Sequence, residues 1–228
     1  MHNVVYYSLH ALGVIVSIIY VLRYAKSYSL EGEKTVCIFL CSYACSYTLM
    51  LLLFWAIRGR FGGQNVVRII AFIPLFVCMF SGIFKQDRKK SLDICAPIVC
   101  ICQALGKIGC QYVGCCQSWL KVPWGIMNRY TKTRLFPVQI FEGLVSAAIV
   151  IWLVEYAKKQ NFDCDGLCMP YMLISFGITR FFLEFLRDNA ITLFWGISEL
   201  AFWALFMSMV GVVWLAIYKW RHWDPRVS

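Results

Sequence analysis

The sequence predicts an all-α integral membrane protein of about seven transmembrane helices, and two observations carry that expectation. Of its 228 residues 61% are hydrophobic and only 15% are charged, and the apolar residues gather into repeated blocks as long as a spanning helix. A bilayer core is roughly 30 Å thick and takes about 20 mostly apolar residues to cross. A soluble fold of this length could not hide so much apolar surface, and the short polar stretches between blocks leave no room for a soluble domain. One polytopic membrane domain over residues 1–228 is expected.

The apolar blocks fall at about 4–22, 36–57, 65–84, 93–117, 137–157, 167–186 and 192–218. The first follows Met1-His2-Asn3 directly, with no basic leader and no small-residue cleavage site, so it reads as a retained helix. Seven spans put the two termini on opposite faces. Cytoplasmic segments carry the excess of Lys and Arg. An outside N-terminus gives the inner segments Arg23, Lys26, Lys34, Lys85, Arg88, Lys89, Lys90, Lys158, Lys159, Lys219, Arg221 and Arg226. The outer ones keep Arg58, Arg60, Lys121, Arg129, Lys132, Arg134 and Arg187. The bias predicts an N-terminus outside, a cytoplasmic C-terminus and a multi-pass protein of the cell membrane.

The net charge of +10 is scattered over every loop rather than gathered on one domain, which fits orientation and anionic headgroups and excludes a nucleic-acid partner. Most of the twelve cysteines lie inside spans, unlike the disulfide framework of a small secreted protein. Cys37, Cys41 and Cys45 recur every four residues and read as small residues for close helix packing. Cys164 and Cys168 fall on the side assigned to the cytoplasm, where a structural disulfide is not expected.

Ionisable groups at membrane depth are costly and face the bundle interior, so each is a candidate for function. Four places qualify. The fourth block ends Gly106-Lys107-Ile108-Gly109-Cys110-Gln111-Tyr112-Val113-Gly114-Cys115-Cys116, a cation among glycines and thiols. Lys107 reads either as a holder of phosphate or another anion or as the partner of a carboxylate, and Gly106 and Gly109 allow close approach of ligand or backbone. After an outer loop, Pro137 suits a first helical turn, with Gln139 and Glu142 on one face for a ligand or for the helix end itself. Arg180, Glu184 and Arg187 follow at i, i+4 and i+7. One carboxylate among two guanidinium forks leaves a positive surplus, suited to a phosphate headgroup or to pinning two helices. The fourth place is Gly196-Ile197-Ser198-Glu199 in the last span, where Glu199 is expected to pair with Lys107 or Arg180.

In order and spacing, roughly over residues 60–210, these segments resemble the bacterial prolipoprotein diacylglyceryl transferases. Gly106-Lys107-Ile108-Gly109 resembles the family's G-R-I-G, and Pro123-Trp124-Gly125 its P-W-G. Pro137-Val138-Gln139-Ile140-Phe141-Glu142 is similar to H-P-S-Q-L-Y-E without the histidine, and Arg180 to Arg187 to R-F-x-x-E-F-x-R. Trp195-Gly196-Ile197-Ser198 is faintly similar to M-G-Q. The resemblance implies seven helices with the N-terminus outside. It also implies transfer of a diacylglyceryl group from phosphatidylglycerol to a lipoprotein cysteine, with Lys107, Arg180, Glu184 and Arg187 lining the phospholipid site. The chain departs from the pattern where the family's histidines would stand, at Phe61 and Phe136, and at Val138, Phe141 and Lys107. Asparagines and a glutamate give way to Cys110, Val113 and Cys115.

The cysteines beside Lys107 admit three readings. Cys110, Cys115 and Cys116 are small apolar fillers, or thiolates activated by Lys107, or, with a spacing typical of no zinc motif, a metal or disulfide cluster. The expected catalytic set is therefore Lys107, Arg180, Glu184, Cys110, Cys115 and Cys116, with Arg187, Gln139, Glu142, Gly106 and Gly109 binding substrate. Neither a resident metal nor a cofactor is expected. The expected partners are a phospholipid donor, membrane lipids and a lipoprotein or other thiol acceptor. The rival expectation is a non-catalytic lipid- or anion-binding protein or transporter on the same scaffold.

Overall fold

The structure, a computed structural model, describes residues 2–59, 66–128, 131–188 and 198–222. Among them are seven helices and one hairpin: α1 His2–Tyr24, α2 Gly32–Arg58, α3 Val66–Ile83, α4 Arg88–Val113, β1 Lys121–Met127, β2 Arg134–Leu135, α5 Val138–Lys159, α6 Cys168–Glu184 and α7 Glu199–Arg221. Six are long and apolar enough to cross a membrane. The exception, α6, has 17 residues, or about 25 Å at 1.5 Å per residue. Phe61, Gly62, Gly63, Trp195, Gly196 and Ile197 lie outside the described residues.

Local chemistry sets the helix limits. The expected span at 93–117 is shifted to Arg88–Val113 because the Asp87 carboxylate accepts from the Lys90 N–H at 2.9 Å and caps the start. At the other end Gly114 takes a left-handed φ of 78° and returns its N–H to Cys110 O. Ser198 caps α7, accepting from the Ala201 N–H at 3.0 Å.

α4 is the central helix, packed against α1, α3, α5 and α6. α1 runs antiparallel to it, with Gly13 opposite Cys102 and Tyr6 opposite Gly109. α6 lies against α7 through small residues: a Cβ on Gly177 would sit 2.6 Å from Ala204 O, and one on Gly211 2.8 Å from Pro170 O. At the far end, fully buried Asp93 of α4 accepts from the N–H groups of Gly166 and Cys168 at 2.9 Å and so caps α6. The fully buried positions of α2 are Thr35, Ile38, Ser42 and Ser46, each 0% exposed, while Cys37 is exposed and Cys41 and Cys45 half-buried. The thiols expected at a close helix approach are thus not the most buried positions of this helix.

The segment after α4, expected as loop, forms an antiparallel hairpin with Ile126 opposite Leu135 and Met127 opposite Arg134. Its second strand is two residues long, too short for an alternating pattern to show in sequence. Gly125 permits the pairing, since a Cβ there would lie 2.8 Å from the Leu135 carbonyl carbon. The starts of α1, α3, α5 and α7 meet the ends of α4 and α6 at the same end of the bundle, which is where the ionisable groups converge.

Candidate functional site

Each buried charge arrives from a different helix end. Lys107 comes from the last turns of α4, Glu142 from the first turn or so of α5, and Arg180 and Glu184 from the end of α6. Arg187 lies beyond α6, so the single helical face expected for Arg180, Glu184 and Arg187 is broken at its last member. Pairing with the segment after α4 holds Arg187 instead: Ser118 bridges to it, the Trp119 N–H reaches Leu186 O, and the Asp188 N–H reaches Gln117 O at 2.8 Å. Ser118 Oγ adds a bond to Leu186 O at 2.6 Å and Trp119 Nε1 one to Phe185 O at 2.8 Å.

Glu142, 2% exposed, is the hub. Its Oε1 lies 3.0 Å from Lys107 Nζ and 3.5 Å from Arg180 Nε, and its Oε2 pairs with Arg187 Nη2. Glu184 Oε2 lies 2.5 Å from Arg180 Nη1 and 3.8 Å from Arg187 Nε, while its Oε1 accepts from Ser198 Oγ at 3.1 Å. Three cations thus share two carboxylates, and one positive charge is uncompensated. The hydrogen bonding is also incomplete. Arg180 Nε and Nη1 and Arg187 Nε face Glu142 Oε1 and Glu184 Oε2 as ion pairs without hydrogen-bond alignment, so these buried groups are paired by charge alone. Arg180 is 1% exposed, where water cannot satisfy those groups.

Glu199 does not join this cluster. It pairs with Arg68 of α3 at 2.6 Å, not with Lys107 or Arg180 as expected, because the start of α7 faces α3. Arg68 also lies 5.4 Å from the Phe54 ring centroid. The sequence reading passed over Arg68, although an arginine in an apolar span is the same signal that singled out Lys107.

The thiols form a chain behind the cluster. Cys115 lies between Cys110 and Cys116; its S–H reaches the Cys110 carbonyl oxygen at 3.7 Å, and a hydrogen bond with the Cys116 sulfur competes for the same proton. Donating its S–H keeps Cys115 a thiol, with its pKa pushed well above the ordinary range. Cys116 is pushed down to about 5, first by that hydrogen bond and then by the charges of Arg187 and Lys107. All twelve cysteines are free thiols, and among the described residues no set of three His, Cys, Asp or Glu side chains is arranged to hold a metal. Gln139, 2% exposed, donates from Nε2 to Cys115 O at 2.6 Å and fastens the thiol loop to α5. Gly106 and Gly109 face α1, where a Cβ would meet His10 Nε2 at 3.0 Å and Tyr6 O at 3.4 Å. Phe136 stacks on Phe141 at 4.7 Å and meets Trp124 at 5.5 Å. Two of the departures from the family pattern therefore touch each other and form an apolar cluster.

A family model described as prolipoprotein diacylglyceryl transferase matches residues 68–217, which span α3 to α7 and every charged group of the cluster. The chain belongs to this family. Among its relatives is the phosphatidylglycerol–prolipoprotein diacylglyceryl transferase of Clostridium tetani, 29% identical over 141 residues, which make up 59% of this chain and 56% of that protein. The enzyme numbered 2 of that name in Clostridium perfringens is also 29% identical, over 59% of this chain and 54% of its own length. One from Leptospira interrogans is 24% identical over 57% of this chain and 43% of its own. The chain spans about half the length of the curated relatives it matches. Family membership and six long apolar helices make it a multi-pass membrane protein.

Proposed function

We propose that this chain is a phospholipid-dependent transferase of the cell membrane, which moves a diacylglyceryl or related glyceryl group from a phosphatidylglycerol-like donor to a thiol or other acceptor near the outer leaflet. The observation that carries the reading is the buried cluster itself. Lys107, Arg180 and Arg187 outnumber Glu142 and Glu184, and the arginine N–H groups meet those carboxylates without full hydrogen-bond alignment. A phosphate diester supplies both negative charge and several acceptor oxygens, and a guanidinium fork matches them.

The chemistry follows from that placement. As the glyceryl carbon is attacked, charge grows on the departing phosphate, and preorganised cations in a dry site stabilise it more than they stabilise the diester. Glu184 orients Arg180, with 2.5 Å between Oε2 and Nη1, and Glu142 holds all three cations together. Gln139 positions the Cys110–Cys115–Cys116 loop beside the departing group. The names of the relatives, phosphatidylglycerol–prolipoprotein diacylglyceryl transferases, support a phosphatidylglycerol-like donor and a lipoprotein thiol among the acceptors.

The test is expression of Lys107→Ala, Arg180→Ala and Cys115→Ala variants, with mass spectrometry of cellular lipids and lipoproteins. Arg180→Ala is expected to abolish the glyceryl-modified product made by the native chain, and Lys107→Ala to reduce it at least tenfold. If all three variants leave the profile unchanged, the transferase reading fails and a non-catalytic anion-binding role takes its place.

A further inference from the structure

Beside Lys107 lies a cavity of about 90 Å³ between α1, α2, α3 and α4, lined among others by His10, Gln103, Gly106, Lys107 and Cys110. His10 of α1 is half-buried, with its ring against Tyr6 at 4.2 Å. Its Nδ1 lies 2.9 Å from Tyr6 O. A carbonyl oxygen can only accept, so Nδ1 carries a proton, and in the neutral ring Nε2 holds the lone pair. That nitrogen has no hydrogen-bond partner among the described residues, and it lies over Gly106, where a Cβ would approach it to 3.0 Å. The missing side chain of Gly106 thus lets the His10 ring pack close against α4, at the wall of the cavity. Gln103 gives independent support: it is 5% exposed, and its side-chain NH2 is buried without an acceptor.

We propose that this cavity receives the acceptor's thiol and the phosphate-bearing glyceryl carbon, and that His10 Nε2 is the base that deprotonates the thiol. The inference rests on the transferase reading given above. The volume admits about three waters at roughly 30 Å³ each, enough for a thiol and one glyceryl carbon but not for a diacylglycerol, whose chains extend into the bilayer. Chemistry selects a thiol over a hydroxyl, because imidazole and thiol have ordinary pKa values of about 6.5 and 8.5, whereas an unactivated hydroxyl gives up its proton only far above both. Glu142 and Glu184 are poorly suited to the task, each being shared between cations. In the step, Nε2 takes the thiol proton and the sulfur pair attacks the glyceryl carbon. The S–C bond forms as the C–O bond to phosphate breaks, and glycerol phosphate leaves with the bonding pair beside Lys107, Arg180 and Arg187. The imidazolium then returns its proton to solvent. Gln103 donates to an ester carbonyl of the donor.

The experiment uses the full chain in phosphatidylglycerol vesicles with a synthetic lipoprotein-precursor peptide carrying one cysteine, and reads glycerol phosphate release and peptide lipidation. His10→Phe keeps a ring against Tyr6 without a base, and the release rate is expected to fall by 100-fold to 10,000-fold, the usual weight of a general base. In His10→Ala, added imidazole is expected to restore at least a tenth of the native rate, which a misfolded or merely loosened protein would not show. Arg180→Ala separates the two claims. If Arg180→Ala abolishes release while His10→Phe keeps it, or if imidazole rescues nothing in a folded His10→Ala, the base is not His10 and the transferase reading stands. If the native chain releases no glycerol phosphate, both fall together.

Discussion

A thiol that donates a hydrogen bond to a neighbouring sulfur lowers the neighbour's pKa at its own expense, and Cys115 does this for Cys116 in the field of Arg187 and Lys107. With its pKa held down to about 5, Cys116 stays a thiolate above that pH and becomes protonated only as pH falls through it. Because Cys116 is exposed, iodoacetamide can report the state directly. Its alkylation rate should stay level between about pH 8 and 6, where an ordinary thiol slows roughly tenfold per unit, and Cys115→Ala should restore the steep dependence. A steep profile in the native chain would remove the basis for an activated thiolate. Glu142 poses the opposite problem, a buried anion that three cations depend on. Glu142→Gln keeps the shape and removes the charge, leaving buried cations uncompensated at a cost of about 3–5 kcal/mol. The midpoint of thermal unfolding in detergent, followed by intrinsic tryptophan fluorescence, should fall clearly. An unchanged midpoint would mean that solvent screens the cluster.

The site depends on helix ends, and these on how closely the helices approach one another. Gly177 lies one turn before Arg180, and a Cβ there would sit 2.6 Å from the backbone oxygen of Ala204, which cannot swing aside. Gly177→Ala should therefore push α6 from α7 at a cost of about 1–3 kcal/mol and lower transfer activity with stability, whereas Gly59→Ala, with nothing near its Cβ position and a left-handed φ of 65°, should strain only the end of α2. Equal activity in Gly177→Ala and the native chain would show that the α6–α7 contact does not position Arg180. At this scale the sequence was informative about existence and weak on detail. The spans were legible because each is a long apolar run, and Lys107, Glu142, Arg180 and Glu184 were legible because each interrupts one. Which carboxylate meets which cation was not, since pairing is a tertiary fact: Glu142 became the hub, and Glu199 turned to Arg68. Arg187, expected on one helical face with Arg180 and Glu184, instead reaches Glu142 from beyond the end of α6. His10 stayed hidden because its partner, Gly106, is 96 positions away in sequence and only the α1–α4 packing joins them.

Taken whole, the molecule has two unlike ends. One gathers the ion cluster, the thiol loop and the hairpin; the other carries Lys85, Lys89, Lys90, Lys158 and Lys159 and the Lys89–Asp165 pair at 2.7 Å. Lys and Arg concentrate on the cytoplasmic side, which predicts that the site end faces outward, where a donor from the outer leaflet reaches Lys107 and Arg180. Labelling decides the orientation. A membrane-impermeant maleimide added to intact cells should modify Cys116, located by peptide mass spectrometry, because that thiol is exposed at the site end. In an Asp163→Cys variant the new thiol, on the exposed turn between α5 and α6, should react only after permeabilisation. The converse pattern would invert the chain, place the cluster in the inner leaflet, and require a cytoplasmic acceptor, for which a free thiol is more abundant.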